Sequence, residues 1–415
     1  MFPENPDPRA VRALHDVALR PYWWDDPLAP EQLPSLDGDT EADLLIVGGG
    51  FTGLWTAILA KERAPERDVL IVDAGVVAGQ ASGRNGGFVH ASLTHGPANG
   101  MARYPHEYAS LRELGAANLD AMRAFVQRHS IDCDWRDSGE LEIAFTEHDA
   151  IRLARESVDV AAYGEELHWL DAAALRERVR LHGARGATFS PHDVSIVHPA
   201  KLAWGLRRVA LSLGVRILEQ THVHDLRPAG QAVRACTATG TVIARQIVLA
   251  TNAFPSLVPS VRRRIVPVYD YVLMTEPLSS AQWEETGWEG YEGLKGAGNR
   301  FHYARPTADG RILWGGFDAV YYRGSGIGPA FEHAQAVYEK LADHFQRVFP
   351  HLADVRFTHA WGGAIDTCTR FIPFWTPAFD GRVMAVAGFT GLGVGSSRFA
   401  AGIALDLLAG ASVPD

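Results

Sequence analysis

The sequence predicts two interleaved folds, an α/β domain with a parallel sheet and an α+β domain with a mostly antiparallel one. Three observations carry this: a buried-strand run ending in glycines at 42–50 (ADLLIVGGG), a helix-periodic run directly after it (FTGLWTAILAKERA), and a second buried-strand run at 68–75 (DVLIVDAG). Strand, glycine turn, helix and strand in that order make a βαβ unit, and hence a parallel sheet. At 415 residues the chain exceeds one simple core, so two domains are expected.

Before the first strand, residues 1–40 read as a proline-rich arm with an aromatic cluster, Tyr22-Trp23-Trp24, of the kind that pins an extension onto a protein body. Residues 97–129 read as helical, with Leu111, Leu114, Leu119, Met122 and Phe125 on one face. GELEIAFT at 139–146 alternates like a strand of a half-exposed sheet. Helical stretches near 147–163, 172–180 and 198–215 follow. Runs beginning at 216, 232 and 244 read as strands returning to the first sheet, and 265–275, 301–305 and 311–317 as strands of the second. A helix at about 331–347, a strand RVMAVAGF, a glycine turn and a last helix from Ser396 complete the chain. The expected division is an arm (1–40), a dinucleotide domain from 41–129, 196–262 and 355–415, and a second domain from 130–195 and 263–354.

Composition excludes several classes. Lys plus Arg is 39 against 49 for Asp plus Glu, a net charge of −10, which disfavours nucleic acid and suits a cationic ligand. Three scattered cysteines, Cys133, Cys236 and Cys368, form no zinc spacing and fit a reducing, cytoplasmic compartment. The N-terminal stretch has no signal-peptide core, and no apolar run reaches the roughly 18 residues of a membrane helix.

The turn after the first strand, Gly48-Gly49-Gly50-Phe51-Thr52-Gly53, fits G-x-G-x-x-G in the strand-to-helix context that gives the motif meaning, so the first domain is Rossmann-type. Gly48 suits the tight turn, Gly50 a close approach to pyrophosphate, and Gly53 close helix–strand packing. Asp73, followed by Ala74, closes the second strand, where an acid accepts hydrogen bonds from ribose hydroxyls and disfavours a 2′-phosphate.

Ala81-Ser82-Gly83-Arg84-Asn85-Gly86-Gly87 then resembles the D-amino-acid-oxidase-like family of FAD-dependent oxidoreductases, near its γ-glutamylputrescine-oxidase-like branch. The resemblance extends from about Asp43 over nearly the whole chain. It implies that this segment runs beneath the flavin ring, with Ser82, Arg84 and Asn85 offering polar contacts. It also implies that Val223 meets the adenine, that Ala250, Thr251 and Asn252 form a second FAD turn, and that Gly391, Leu392, Gly393, Val394 and Gly395 meet the pyrimidine end of the flavin.

By the same resemblance, the position where some relatives attach FAD through a cysteine is Gly363, while Cys368 takes a threonine position. Non-covalent FAD is therefore expected. Members acting on α-amino acids hold the substrate carboxylate with an arginine where this chain has Ile365 or Gly391. A carboxylate without its bidentate arginine loses its strongest partner, so the expected donor is a primary or secondary amine. Asp366 is the candidate for attracting its ammonium group, and Tyr269, Tyr271, His302, Tyr303 and Trp314 are candidate pocket walls, with His90 and His95 also possible. The lysine that activates oxygen in sarcosine-oxidising relatives would fall near Leu313. The expected reaction is amine to imine, followed by hydrolysis, with oxygen as acceptor giving hydrogen peroxide. A dehydrogenase, an amino- or imino-acid oxidase using Arg305 for the carboxylate, and a non-catalytic flavin protein remain as alternatives.

Overall fold

In the computed structural model, which describes residues 6–411, the first buried run is strand Thr40–Val47, central in an eight-stranded sheet. Thr241–Leu249 and Val69–Val72 flank it in parallel, and Val383–Ala387 and Arg216–Leu218 extend the parallel array. Leu44 and Ile46 join one core cluster and Leu45 and Val47 another. A strand buried on both faces shows no apolar–polar alternation, which is why it reads as a continuous apolar run. Helices Phe51–Arg63, Tyr108–Arg128, Pro199–Ser212 and Gly393–Leu408 pack one face through Leu54, Met122, Leu206 and Ala400. The parallel arrangement brings five strand C-termini, at Val47, Val72, Leu218, Leu249 and Ala387, to one edge of the sheet, the usual ligand edge of such folds.

The second sheet also has eight strands, in the order Phe357–Thr367, Val266–Thr275, Ile312–Gly316, His302–Pro306, Gly293–Gly296, Glu140–Ala144, Gly186–Ser190 and His168–Asp171. All its pairings are antiparallel except Gly293–Gly296 with Glu140–Ala144. Helix Gln335–Val348 covers one face, burying Tyr338, Leu341 and Phe345 against it. The other face looks into the molecule.

Three expectations change. The helix read over 97–129 is two, Pro97–Arg103 and Tyr108–Arg128. Pro105 interrupts them, since it lacks an N–H and biases Tyr104 away from the helical region. The last helix starts at Gly393 rather than Ser396. The boundary at 355 also moves: Phe357–Thr367 pairs along its length with Val266–Thr275, so these residues complete the second sheet and the chain rejoins the first at Phe374–Ala378.

The N-terminal arm crosses both units. Ala10, Ala13 and Leu14 pack in the second core, while Trp23 is fully buried and donates its indole N–H to the Asn85 carbonyl at 2.9 Å. Residues 1–5 of the arm and 412–415 of the last segment lie outside the described residues.

Candidate active site

A cavity of about 1690 Å³ lies between the strand C-termini of the first sheet and the open face of the second. Its nucleotide half is built from the turns that end the parallel strands. Gly48, Gly50, Phe51, Thr52, Asp73, Ala74, Val223, Ala250, Thr251 and Asn252 all line it. So do Ala81, Ser82, Arg84, Asn85 and Gly86, then Gly363, then Gly391, Leu392, Gly393 and Val394. Helices Phe51–Arg63 and Gly393–Leu408 both start on this wall, and their N-cap residues, Gly50 and Leu392, make no side-chain cap. Their free amides and positive dipole ends suit phosphate and a developing negative charge.

Gly53, Gly87 and Gly395 do not line the cavity; each lets two backbones touch. A Cβ on Gly53 would collide with the Gly48 carbonyl, on Gly87 with that of Val197, and on Gly395 with that of His90. These glycines shape the cradle without facing it.

The polar side chains of the cradle brace its loops. Asp73 accepts from the amides of Gly49 at 2.6 Å and Gly75 at 2.8 Å. Burial raises its pKa and those two amides pull it back. Ser82 Oγ accepts from the Phe51 amide at 2.9 Å, tying the 81–87 segment to the helix start. Asn85 donates to the Ala81 and Ser82 carbonyls and accepts from the Gly87 amide. Arg84 donates to the carbonyls of Gly79 and Gly362, pairs with Glu332 at 2.6 Å and stacks on Trp24. The Trp361 indole donates to the Arg84 carbonyl at 2.8 Å. This loop is thus held from the arm, the second sheet and the first helix together. Trp23→Phe, which leaves the Asn85 carbonyl without its indole donor, is expected to weaken cofactor binding about fivefold, or ~1 kcal/mol. Fluorescence titration of the apoprotein checks this, and an unchanged affinity breaks the link between arm and loop.

Asp366 lines the cavity, but its Oδ2 accepts from the Gly388 amide at 2.6 Å and the Phe389 amide at 3.2 Å. Burial pushes its carboxyl up to about 7 against these donors. Cys368 lies off the wall, its thiol directed at the Ile372 and Gly388 carbonyls, and no cysteine among the described residues lines the cavity. Gly363, at the attaching-cysteine position, does line it. The residues present therefore fit a dinucleotide flavin held without a covalent bond.

The second half is a wall laid across the open sheet face. In register from one side to the other run Thr188, Glu142, Lys295, Tyr303, Gly315, Val272 and Trp361. Lys295 contacts Glu140 at 3.1 Å and Glu142 at 3.0 Å; burial lowers its pKa, but these carboxylates raise it further. Arg152 pairs with Glu142 and Glu156. Tyr108 donates to Glu165. His90 and His95 both line the cavity, the first 3.5 Å from Glu140, the second 2.9 Å from the Thr390 carbonyl. Between Tyr269 and Tyr271, Asp270 faces the cavity and accepts from the Tyr303 hydroxyl at 2.7 Å.

Of the expected aromatic walls, only Tyr303 reaches the cavity. Tyr269 and Tyr271 do share a face, but it is the face under helix Gln335–Val348, where the Tyr271 hydroxyl contacts those of Tyr322 and the Phe331 carbonyl. Trp314 donates to the Leu341 carbonyl of that helix, and His302 contacts His344 on it. The alternation holds, but the face it gives the two tyrosines is the covered one. Leu313 is buried among Trp23 and Trp361, and Arg305 donates to the Val197 and Pro306 carbonyls off the cavity wall. The alternation of GELEIAFT was the one available signal for Glu140 and Glu142, and their polar face meets an internal cavity instead of bulk water.

Two glycine cradles at the ends of parallel strands, closed by a second sheet, define an oxidoreductase that holds a dinucleotide cofactor. The chain belongs to the DAO family of FAD-dependent oxidoreductases, whose model matches residues 43–407. It is 26% identical to the probable oxidoreductase OrdL of Haemophilus influenzae over 95% of this chain and 92% of that one. It is 29% identical to the gamma-glutamylputrescine oxidoreductase of Escherichia coli over 91% of this chain and 85% of that one. Among solved structures, glycine oxidase from Geobacillus kaustophilus superposes with a TM-score of 0.75 at 21% identity, covering 90% of this chain and 96% of that one. Among the described residues no helix is long and apolar enough to cross a membrane.

Proposed function

We propose that the protein oxidises a primary or secondary amine to an imine, which water then hydrolyses. The observation that carries this is the charge of the second half of the cavity. Carboxylates Glu140, Glu142, Glu156, Glu165, Asp193 and Asp270 line it, against the cations Lys295, Arg112 and Arg152. Such a surplus draws a cationic donor from solvent and rejects a free carboxylate. Burial raises the pKa of Glu156 and of Glu165, and a neighbouring carboxylate adds to each rise, Glu142 to the first and Asp193 to the second. At the positions where the family resemblance looks for a carboxylate-binding arginine stand Ile365 and Gly391, both on the wall.

FAD, when bound in the cradle, supplies the two-electron acceptor for the hydride on the carbon beside the nitrogen. The protein's part is to seat the amine against the Gly86 and Gly363 segments, keep water out and manage one proton. Molecular oxygen is the proposed final acceptor, consistent with relatives named glycine oxidase and sarcosine oxidase. A cytoplasmic location fits the three free cysteines.

Anaerobic mixing with a panel of amines and α-amino acids tests the reading. Amines are expected to bleach the flavin band at least tenfold faster than amino acids of equal size. Their second-order rate should fall as salt is raised. Bleaching by amino acids alone would sink the proposal, and the rate of reoxidation in air decides between oxygen and another acceptor.

A further inference from the structure

Asp270 sits where the alternation of strand Val266–Thr275 turns one acid away from the core. The flanking tyrosines are buried on the opposite face, Tyr271 against Tyr338 of helix Gln335–Val348 and Tyr269 against Tyr322 and Phe331, and Asp270 opens onto the cavity. Its backbone pairs with Gly363, on the wall beside the flavin loop, where a Cβ on Gly363 would lie 3.7 Å from Arg84. Oδ2 accepts from the Tyr303 hydroxyl at 2.7 Å and Oδ1 from the Tyr271 amide at 2.9 Å. The Tyr303 ring rests on the same loop, since a Cβ on Gly86 would come within 2.9 Å of Cε2. The carboxylate is therefore held at the junction of both flavin-loop contacts and the charged wall.

We propose that Asp270, oriented by Tyr303, is the catalytic residue that takes a proton from the ammonium group of the bound substrate. This rests on the amine reading above and assigns its proton. An ammonium nitrogen has no free electron pair, so the carbon beside it cannot release a hydride. When an N–H bond breaks and an O–H bond forms on Asp270, the electron pair stays on nitrogen. That pair becomes the second C=N bond as the hydride leaves for the oxidant that the family activity supplies. The proton remains on Asp270 until solvent takes it.

The surroundings suit the role. Burial pushes the Asp270 carboxyl up to about 6, and the Tyr303 hydroxyl with the amides of Tyr271 and Gly316 draws it back. Charged groups face the neighbourhood from each packed element. Lys295 lies beside Tyr303 across the strand pair and is shared by Glu140 and Glu142. Arg84, under Gly363, is paired with Glu332. Asp366, further along the Gly363 strand, is bonded to loop amides. A base near pH 6 stays ionised at neutral pH and accepts a proton readily.

The test is the rate of flavin reduction against pH, under anaerobic conditions, for holoenzyme carrying Asp270→Asn or Tyr303→Phe, with an amine that reduces the wild type. The wild-type second-order rate should fall tenfold per pH unit below about pH 6. Asp270→Asn should lose about 10²-fold at pH 7 and lose the break near pH 6, its rate instead following the free-amine fraction and rising tenfold per pH unit up to the pKa of the amine itself. Tyr303→Phe should move the limb to higher pH, because the bond that draws the carboxyl down is gone. A mere packing role would leave the limb in place in both. The flavin absorbance of each variant reports an intact cradle. A wild type left oxidised by every amine overturns the amine reading, and this assignment with it. A reducible wild type with an unchanged limb in Asp270→Asn overturns this assignment alone.

Discussion

Gly53→Ala is expected to yield a colourless, destabilised protein, although it adds one methyl group to the chain. That methyl would occupy the space of the Gly48 carbonyl oxygen and lie 3.2 Å from Ile46 Cγ2. Both neighbours are fixed: Gly48 directly follows the central strand and donates its amide to the Val72 carbonyl at 2.8 Å, and Ile46 is fully buried within that strand. Helix Phe51–Arg63 must then lift from the strand, which opens a core holding Leu54, Trp55 and Ile58. Overpacking of this kind costs about 3 kcal/mol. The same shift moves the helix start from the Ser82 hydroxyl that the Phe51 amide contacts, so FAD affinity should drop about a hundredfold, or ~2.7 kcal/mol. Gly363→Ala is the control. Its methyl has no atom nearer than 3.7 Å, so the fold should hold and any loss should appear only in ligand affinity. Thermal melts and flavin content of the two variants check the pair; a yellow Gly53→Ala with wild-type stability would disprove the packing argument.

The contrast between these glycines also shows what the sequence could and could not disclose. The first cradle was legible because its signals are local. A buried strand, a glycine turn and an apolar helix lie within about 20 residues of Thr40, and each constrains the next. The second sheet was legible as strands but not as faces. Nothing near Tyr269-Asp270-Tyr271 says which side will be covered, because the covering helix, Gln335–Val348, lies more than 60 positions downstream. Two tyrosines make a more conspicuous signal for a wall than the single acid between them. Glu140 and Glu142 were hidden by the same ambiguity. A polar face can meet bulk water or a cavity, and alternation is identical in the two cases.

Asp366→Asn separates two roles for one carboxylate through the pH dependence of stability. Asp366 is fully buried and bonded to the amides of Gly388 and Phe389, at the turn leading to the 391–394 loop that lines the cavity. Its folded pKa, about 7, stands above the unfolded value near 3.8. Between those values the folded state holds a proton that the unfolded state has lost. The stability from this group is therefore full below about pH 4 and is lost as pH rises through 7. Across pH 5 to 8 the loss is about 2–3 kcal/mol. Asparagine keeps an oxygen for the two amides and cannot ionise, so Asp366→Asn should gain on the wild type by that amount over this range. Asp366→Ala, which strands both amides, should lose about 2–5 kcal/mol at all pH values and loosen FAD. Urea melts at several pH values check both. If Asp366 also selected the substrate ammonium, Asp366→Asn would in addition raise KM for amines. With its oxygen committed to the loop, the expected change is in slope and flavin affinity, while amine selectivity stays with the charged wall around Asp270.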